Sequence, residues 1–461
     1  MFDMIEVDFA RNHFVTMFHS FKNGMIMKYL LLPAGIALSA CGNQIPDMLS
    51  KSYLAPGEKI VIETETIDKI APQTVKTVPI SNDLYAAIVT AVKHHPRYIS
   101  AQATLREAEL NLAINAASTK PQLSASLFSG LDDIENLTAG SIGSLNLQTL
   151  LFDSGKSQLQ QLSDEVNVEI AKLGLGQVKA ELMLEHYQDF NTLNSLKNIE
   201  QIYSGKKQII NEYTQRLETM KLAGVIDSTA ISAAQRISND IDKNLELTKI
   251  DRELIEEKLS LYFENVTLPR NSISQQTSKL NKTKQSLNAN IDVKRAYLLL
   301  RSADITVEQA KKTNSYDVIL QSSVRQTIGN SLDTQPTLGV SISKPLYRGG
   351  LQEAQISTAE ASRDRAISDF ETAYARVKQE IKLIDVNLGA IEKKLNIIRQ
   401  ETDFSRSEIE RINSQLQIGR SSINDLISEE YNLLELELQT IQLEKETFDL
   451  KLQKLKLLNL N

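Results

Sequence analysis

The sequence carries one pattern twice, and this internal repeat constrains the fold more than any other feature. Gly155 in LFDSG and Gly350 in LYRGG lie 195 positions apart, and so do Gly224 in LAGVIDS and Gly419 in LQIGRSS. Because both pairs share one spacing, the segment between the two glycines has the same length in each copy. The repeat predicts two copies of one unit, each built from a helix, two strands, a long helix and a return helix.

The segment after Gly350 has the apolar spacing of a long helix. Its apolar residues recur three and four positions apart, which is typical of a helix whose seam faces another helix in a left-handed supercoil. Thr402 and Ser405 interrupt the seam with polar side chains. The apolar members are Ile381, Ile384, Leu388, Ile391, Leu395 and Ile398, followed by Ile409, Ile412 and Leu416.

The return helix after Gly419 carries two apolar stripes, each with a period of seven residues. A helix in a simple hairpin needs one apolar seam, so two stripes predict a neighbouring helix on either side, as in a ring of helices. The first stripe is Leu434, Ile441, Phe448 and Leu455, and the second is Leu436, Leu443, Leu450 and Leu457.

Two alternating segments precede each long helix, and the period of two predicts strands. Two strands of about ten residues form a hairpin long enough to cross a membrane in a tilted barrel. Four strands per chain are fewer than the roughly eight that close such a barrel, and an open sheet in lipid leaves edge N–H and C=O groups unpaired. Strands in a membrane must therefore be pooled from several chains. A small soluble sheet that caps a helical bundle stays open as the alternative.

The composition excludes several function classes. The net charge of −7 gives no basic footprint for nucleic acid. One cysteine excludes a disulfide framework. The sequence has no Gly-rich phosphate loop, no nucleophile elbow and no clustered Cys and His set, so we expect no catalytic residues, no metal, no cofactor and no enzymatic activity. The adjacent His94 and His95 precede Pro96 and are interpreted as polar residues at a helix start.

The single cysteine lies at the end of an export signal. From Met27 the chain reads MKYLLLPAGIALSACGN, with a lysine, a short apolar run and small residues before Cys41. The tetrad Leu38–Cys41 resembles a bacterial lipobox, in which the cysteine is acylated and anchors the protein. An ordinary signal peptide with an incidental cysteine is the alternative. The residue directly after the cysteine is Gly42. In bacterial lipoproteins an aspartate at this position resembles an inner-membrane retention signal, so glycine here favours the outer membrane.

The sequence divides into five predicted segments. A cap at Ser81 or Asn82 starts the first helix, which breaks at Pro96. Residues 1–40 are a signal and upstream extension, 41–81 a lipid-anchored tether, 82–268 the first repeat, 269–289 a Ser-, Thr- and Asn-rich linker, and 290–461 the second repeat. The predicted strands are about 122–130, 143–152, 316–328 and 337–347, and the predicted tip turns are about 222–228 and 417–424.

This organisation resembles the TolC family of outer-membrane channels over residues 82–461. The strand–helix junctions LFDSG and SKPLYRGG are similar to the family's Pro-Leu-aromatic-x-Gly-Gly junction, carried here by Gly155, Pro345, Gly349 and Gly350. The turns LAGVIDS and LQIGRSSINDLISEE are similar to its hairpin tips. The first copy departs from the pattern, with Leu150 where the second has Pro345.

The resemblance implies a mixed membrane protein. Long α-helical coiled-coil hairpins would form an α-barrel in the periplasm, and three chains would pool their strands into a 12-stranded β-barrel in outer-membrane lipid. The tips would dock on a periplasmic adaptor protein that links the homotrimer to an inner-membrane pump of RND or ABC type. The candidate docking residues are Gly224, Val225, Gly419, Arg420 and Asp425, and the candidates for a tunnel constriction are Asp227 and Asp425.

Two functions from different classes follow. The first is a passive exit duct of a tripartite export system, for drug efflux or type I protein secretion. The second is a lipid-anchored periplasmic coiled-coil scaffold without a pore. The sequence does not distinguish the exported substrates.

Overall fold

The computed structural model describes residues 77–80, 83–133, 138–226, 228–266, 287–328 and 334–458. The predicted lipobox at Cys41, most of the tether, most of the 269–289 linker and Asp227 lie outside the described residues. No helix within these ranges combines the length and the apolarity that a membrane crossing requires.

Helices make up most of the described chain, and two of them are much longer than the rest. Helices α3 and α6 have 67 residues each, which corresponds to roughly 100 Å at 1.5 Å per residue. The helices are α1 Leu84–His94, α2 Pro96–Ser118, α3 Lys156–Leu222, α4 Ser228–Ser260, α5 Ile291–Lys312, α6 Leu351–Gln417 and α7 Ile423–Leu457. Both long helices begin and end 195 positions apart, the spacing seen in the sequence.

Within the described residues, six strands form two sheets. The strands are β1 Val78–Pro79, β2 Gln122–Asp133, β3 Thr138–Phe152, β4 Phe263–Glu264, β5 Asp317–Ile328 and β6 Thr334–Ser343. Strands β2, β3, β5 and β6 form an antiparallel sheet in that spatial order. The short β1 pairs in parallel with β4 and so attaches the segment before α1 to the end of α4.

The first helix begins one or two residues later than the predicted caps Ser81 and Asn82 imply. Its N-cap is Asp83, which has an extended backbone with φ −106° and whose carbonyl accepts from the Ala87 N–H. The predicted caps Ser81 and Asn82 lie outside the described residues. The predicted break is confirmed: α1 ends at His94, and His95 caps α2 by accepting the Arg97 N–H at Nδ1 (3.1 Å).

Each long helix is paired with shorter helices along its length. Helix α3 contacts α2 and α4 as well as α5 and α7, while α6 contacts α5 and α7. The predicted seam of α6 is confirmed, because its members are buried or half-buried and the polar Thr402 and Ser405 are buried within it. Both stripes of α7 are buried or half-buried as well, which agrees with its two neighbours, α3 and α6.

The largest core lies where α1, the middle of α3 and the end of α4 meet. It contains Leu84, Ile88, Phe190, Leu193 and Phe263, all with less than 2% of their surface exposed. Apolar burial of this kind is worth about 1.5–3 kcal/mol per large side chain, so this region anchors the hairpin that α3 and α4 form.

A buried histidine packs into this core. His186 is 3% exposed and makes edge contacts with the rings of Tyr262 and Phe263. Neither of its ring nitrogens has a hydrogen-bond partner among the described residues. Burial lowers the pKa of His186 from its ordinary 6.5 to about 4. His95, which contacts Tyr262 Oη at 3.1 Å, has a pKa lowered chiefly by burial as well. Glu185 is the charged group near both rings, while Arg97 lies near His95 and Lys258 near His186.

We expect His186→Phe to stabilise the protein at acidic pH and to change little at pH 7.5. The folded state holds the neutral imidazole, whereas the unfolded chain binds a proton near pH 6.5. Above pH 6.5 this histidine therefore does not lower the free energy of unfolding. Below pH 6.5 the free energy of unfolding falls, by up to about 3 kcal/mol as the pH drops toward 4. Thermal unfolding at pH 7.5 and pH 5 measures the effect. Equal pH dependence in both proteins would contradict the prediction.

Candidate functional site at the sheet and the helical tips

The four-stranded sheet has one apolar face. The strand register places Leu123 opposite Leu147, Leu145 opposite Val324, and Leu320 opposite Val340, so these side chains share a side. The polar residues on this side include Thr149 and Ser322 and, toward the strand connections, Ser141, Gln326 and Thr334. Several of these apolar side chains are strongly exposed in the protomer: Leu123 (72%), Leu127 (54%), Leu338 (57%), Val340 (49%) and Ile342 (70%). An exposed apolar surface of this extent on a soluble monomer is unusual and indicates a membrane or protein partner.

The opposite face of the sheet is polar across its middle. Hydroxyl groups pair across the strands, with 2.7 Å between Ser126 Oγ and Ser144 Oγ and 2.6 Å between Ser323 Oγ and Thr337 Oγ1. The polar members include Ser124, Ser126, Ser144, Asn146, Gln148, Gln321, Ser323, Arg325, Thr337 and Ser341. One face therefore suits an apolar environment and the other suits water.

The sheet has two open edges within the described residues. Strand β2 pairs with β3, and β6 pairs with β5, so each outer strand uses one of its two sides. A β-strand edge presents unpaired N–H and C=O groups that can pair with another strand. All of β6 is exposed, which leaves this edge accessible to a partner.

The two strand–helix junctions differ in how they are held. Gly155 and Gly350 precede the long helices with φ of +83° and +80°, a conformation that glycine adopts without strain. In the first copy, Asp153 accepts from the Gly155 and Ser157 N–H groups, and Lys156 forms a 2.9 Å ion pair with Asp317. The helix start is thus fixed to the start of β5.

In the second copy, the strand ends earlier than predicted. Strand β6 ends at Ser343, which pairs with Asp317, rather than at about position 347. Pro345 has no N–H to continue the ladder, whereas Leu150, its counterpart, pairs with Ile319 and lets β3 continue to Phe152. Gly349 has φ +60°. Leu346 and Tyr347 are consequently 90% and 87% exposed.

Both helical hairpins turn through the same backbone motif. Gly224 has φ +74°, and the N–H of Val225 donates to the Met220 carbonyl at 2.9 Å. Gly419 has φ +70°, and the N–H of Arg420 donates to the Gln415 carbonyl at 2.9 Å. This six-to-one bond after a left-handed residue is a Schellman motif, and it requires glycine where the sequence repeats one. Val225 and Arg420 are exposed at these turns.

Asp425 has a structural role at the second tip. Ser422 and Asp425 form a capping box, in which the Asp425 N–H donates to Ser422 Oγ (3.2 Å) and the Ser422 N–H donates to Asp425 Oδ2 (2.8 Å). The first copy has Ala230 in place of Asp425 and cannot form this box. The capping box therefore explains why an acidic residue stands at this position. Docking of a partner and constriction of a tunnel remain predictions for Asp425.

A buried ion pair joins the two hairpins above the tips. Lys206 on α3 and Glu430 on α7 approach to 2.6 Å between Nζ and Oε2, with side chains 9% and 8% exposed. A second link is the Tyr431 hydroxyl, which donates to Asp240 on α4 (2.8 Å); this bond and burial raise the pKa of Tyr431 to about 12. Lys206, Glu430, Asp240 and Tyr431 were not singled out from the sequence, where each reads as a solvated helix residue.

The tip links lie against a shared apolar cluster. Ile210 and Leu217 on α3, Ile231 on α4, and Ile423 and Ile427 on α7 are buried together. The two hairpins therefore form one packed unit near their tips, and separating them breaks the ion pair, the tyrosine bond and this cluster. Among the described residues, no group of three His, Cys, Asp or Glu side chains is arranged to hold a metal ion.

The fold is that of known outer-membrane channels. The chain is similar to the transmembrane channel CusC, with a TM-score of 0.74 over 85% of this chain and 95% of that one, at 14% identity. It is similar to the MtrE outer-membrane channel of Neisseria gonorrhoeae (TM-score 0.71, 84% and 93% covered, 13% identity). The outer-membrane protein VceC of Vibrio cholerae gives 0.69 at 18% identity, with 82% and 98% covered. No protein-family model and no curated protein matches the chain by sequence.

These identities are low, so the likeness shows the fold alone. The solved structures are TolC-family channels, and the resemblance read from the sequence is confirmed at that level. What the fold does in this chain rests on its own sheet, junctions and tips.

We expect loss of one partner of the buried pair to destabilise the protein more than loss of both. Glu430→Leu leaves the Lys206 ammonium buried without a partner, at a cost of roughly 3–5 kcal/mol. Lys206→Met combined with Glu430→Leu should recover most of that loss, because no unpaired charge remains. Thermal unfolding of the single and double variants measures the coupling. Additive losses would show that the two side chains do not interact.

Proposed function

We propose that this chain is one subunit of a homotrimeric exit duct in the bacterial outer membrane. The observation that carries the proposal is the sheet, which combines an exposed apolar face, a polar face and two open edges. Three copies supply twelve strands, enough for a closed barrel, and the shared 195-residue spacing is attributed to an internal duplication that doubled the strands in each chain.

Closure of the sheet satisfies the requirements of lipid. Every edge N–H and C=O group gains a partner when β6 of one copy pairs with β2 of the next. The apolar face with Leu123, Val340 and Ile342 then contacts acyl chains. The polar face with Ser126, Ser144 and Ser323 lines a water-filled lumen, as the alternation of a channel barrel requires.

The long helices continue the duct through the periplasm. Helices α3 and α6 begin directly after Gly155 and Gly350, and at roughly 100 Å they reach far from the membrane. With α2, α4, α5 and α7 beside them, three copies give a ring of twelve helix lengths. Helices with two apolar stripes, such as α7, fit such a ring because each has two neighbours.

The hairpin tips form the docking end of the duct. An adaptor protein binds the exposed turns at Gly224, Val225, Gly419 and Arg420, with Asp425 beside them, and links the duct to an inner-membrane pump of RND or ABC type. Binding splays the hairpins and opens the passage, while the pump supplies the energy. Asp227 and Asp425 are the candidates for narrowing the tunnel at this end.

The chain is held at the outer membrane in two ways. The barrel inserts into the membrane, and acylation of Cys41 in the lipobox adds a lipid anchor at the N-terminus of the mature protein. The short β1–β4 pair attaches the last residues of the predicted tether to the end of α4.

A periplasmic scaffold without a pore explains the helices but not the sheet. A scaffold gains nothing from exposed leucine, valine and isoleucine on one sheet face and hydroxyl pairs on the other. The apolar face costs solubility in a protein that never contacts lipid. The duct is therefore the better reading.

Neighbouring residues of β6 provide a matched test of the barrel. We expect Val340→Arg to impair assembly in the outer membrane, because an arginine on the lipid face near the midplane costs roughly 2–4 kcal/mol. Ser341→Arg, one residue away on the polar face, should assemble like the wild type. The measurement is the amount of each variant in the detergent-extracted outer-membrane fraction. Equal amounts of both variants would argue against a lipid-facing sheet.

Gly419 provides a test of the tip. Gly419→Pro cannot adopt φ +70° and should distort the turn while the distant sheet still assembles. We expect it to lose export, measured as ethidium retention for drug efflux or as loss of the secreted protein from the medium for type I secretion. Gly419→Asn, which tolerates the left-handed conformation, is the control. Normal export by the proline variant would mean that the turn is not the docking end.

A further inference from the structure

The two lateral edges of the protomer carry exposed apolar stripes on their helices. On α6, Leu383 (53%), Ile397 (55%) and Phe404 (69%) recur at multiples of seven residues, with Val386 (60%) beside them. On α4, Leu247 (50%), Leu254 (64%) and, just past its end, Leu261 (56%) recur every seven residues, with Ile250 (52%) beside them. A period of seven is that of a helix packing seam, so each edge has the pattern of a helix that lacks its neighbour.

The protomer already contains the geometry that such a neighbour needs. Within one chain, the first repeat (82–268, here the first unit) contacts the second repeat (290–461, the second unit) at an internal interface. The contacts are β3 against β5, and α3 and α4 against α7. Because the elements of the two units lie 195 positions apart, each contact in this internal interface has a counterpart. Adding 195 to the first-unit residue and subtracting 195 from the second-unit residue gives a pair on the two open edges.

We propose that a second copy of this chain docks by this transposed geometry, in a defined strand register and with a defined ion pair. The inference rests on the proposed trimeric duct and names the residues of its seam. An interface of this head-to-tail kind repeats from copy to copy, and it closes into a ring when the rotation between neighbours is a third of a turn, as the proposed trimer requires. The β6 and α6 edge of each copy therefore meets the β2 and α4 edge of the next copy, with no other protein between them.

The transposed strand contacts keep the apolar face continuous. Leu147 lies opposite Ser322 in the internal sheet, so Ile342 of one copy lies opposite Leu127 of the next. Both side chains belong to the exposed apolar face, at 70% and 54%. A register shifted by one residue would turn one of these strands over and place its leucines against the polar lumen.

The junction beside this strand pair also gains its missing contact. Across the internal interface, the rings of Phe152 in the first repeat and Tyr316 in the second stack with 5.2 Å between their centroids. The transposed pair is Tyr347 against Pro121 of the next copy. Tyr347 is 87% exposed in the protomer, and this contact would cover it.

The helical contacts become apolar where the internal ones are polar. Asn191 on α3 donates to Asp449 on α7 (3.4 Å), and the counterpart is Val386 against Leu254 of the next copy. Both of these side chains are at least 60% exposed in the protomer. Separate chains need more apolar burial to associate than two parts of one chain, and each such side chain contributes on the order of 1.5–3 kcal/mol when covered.

One transposed contact near the tips joins opposite charges. The internal hydrogen bond between Tyr431 and Asp240 transposes to a contact between two chains. In that contact, Glu435 on α7 of one copy lies against Arg236 on α4 of the next. Both residues are exposed, and among the described residues neither forms an ion pair within the protomer. The charge complementarity fixes the register of the helices near the end at which the duct opens.

Paired cysteines test the strand register in the full-length protein. Directly opposite residues of antiparallel strands have Cα atoms about 4.5–5.5 Å apart, within disulfide range, whereas a partner two residues away is about 7–8 Å distant. We expect Ile342→Cys with Leu127→Cys to give disulfide-linked ladders on oxidation of isolated membranes. Ile342→Cys with Ala125→Cys, on the same face of β2, is the control. The expected yield for the first pair is roughly tenfold higher, and the wild type gives the background from Cys41.

Charge reversal tests the helical pair. Arg236→Glu and Glu435→Arg, made singly, should each lower the temperature at which the detergent-extracted oligomer dissociates, and the double variant should restore it. If the double variant lowers the dissociation temperature by as much as the two single variants together, the ion pair is overturned. Restoration would support it, because a general defect of either side chain is not repaired by the other.

The native mass separates failure of the seam from failure of the duct. Suppose that the protein runs as three chains and that Ile342→Cys with Ala125→Cys forms disulfides as well as, or better than, Ile342→Cys with Leu127→Cys. That result overturns the strand register but leaves the duct in place. Protein that runs as one chain overturns both. An oligomer linked through Leu127, with restoration in the charge-reversed double variant, supports the proposed seam.

Discussion

The requirement that backbone hydrogen-bonding groups be paired governs this molecule more than any side chain does. The outer strands of the four-stranded sheet leave N–H and C=O groups open on both edges, and one face of the same sheet is apolar and exposed. Lipid tolerates neither open edge, so insertion and association are one event in the proposed duct. The lateral stripes on α4 and α6 extend the same logic to the helices, which also lack neighbours at the edges of the protomer.

The helices divide the work between stability and motion. The core around Phe190 and Phe263 is fully buried, so the middle of the first hairpin is rigid. Near the tips the two hairpins are held by one ion pair, one tyrosine bond and a smaller apolar cluster. In the proposed duct, opening at the tips breaks these links, and contacts with a docking protein must replace them. This difference fits the proposed duct, which opens at one end and stays sealed in lipid at the other.

Much of the fold follows from periodicity in the sequence. The heptad seam of α6, the two stripes of α7 and the repeated glycines at 224 and 419 predict the long helices and the turns, because period and backbone conformation are local properties. The early end of β6 was missed, although Pro345 carries the signal for it. Lys206, Glu430 and Tyr431 could not be identified from the sequence. Their partners lie about 190 or more residues away, and a charged residue on a helix gives no sign of whether it faces water or another charge.

The central claim is that the pooled sheets enclose water, and ion conductance tests this most directly. Protein extracted in detergent from the outer membrane and reconstituted into planar bilayers should give stepwise ion currents of uniform size, because each closed barrel forms one passage of fixed width. Folded protein that inserts into the bilayer and carries no current under any applied voltage would contradict a water-filled duct. The apolar face of the sheet would then have to be covered by another protein rather than by lipid.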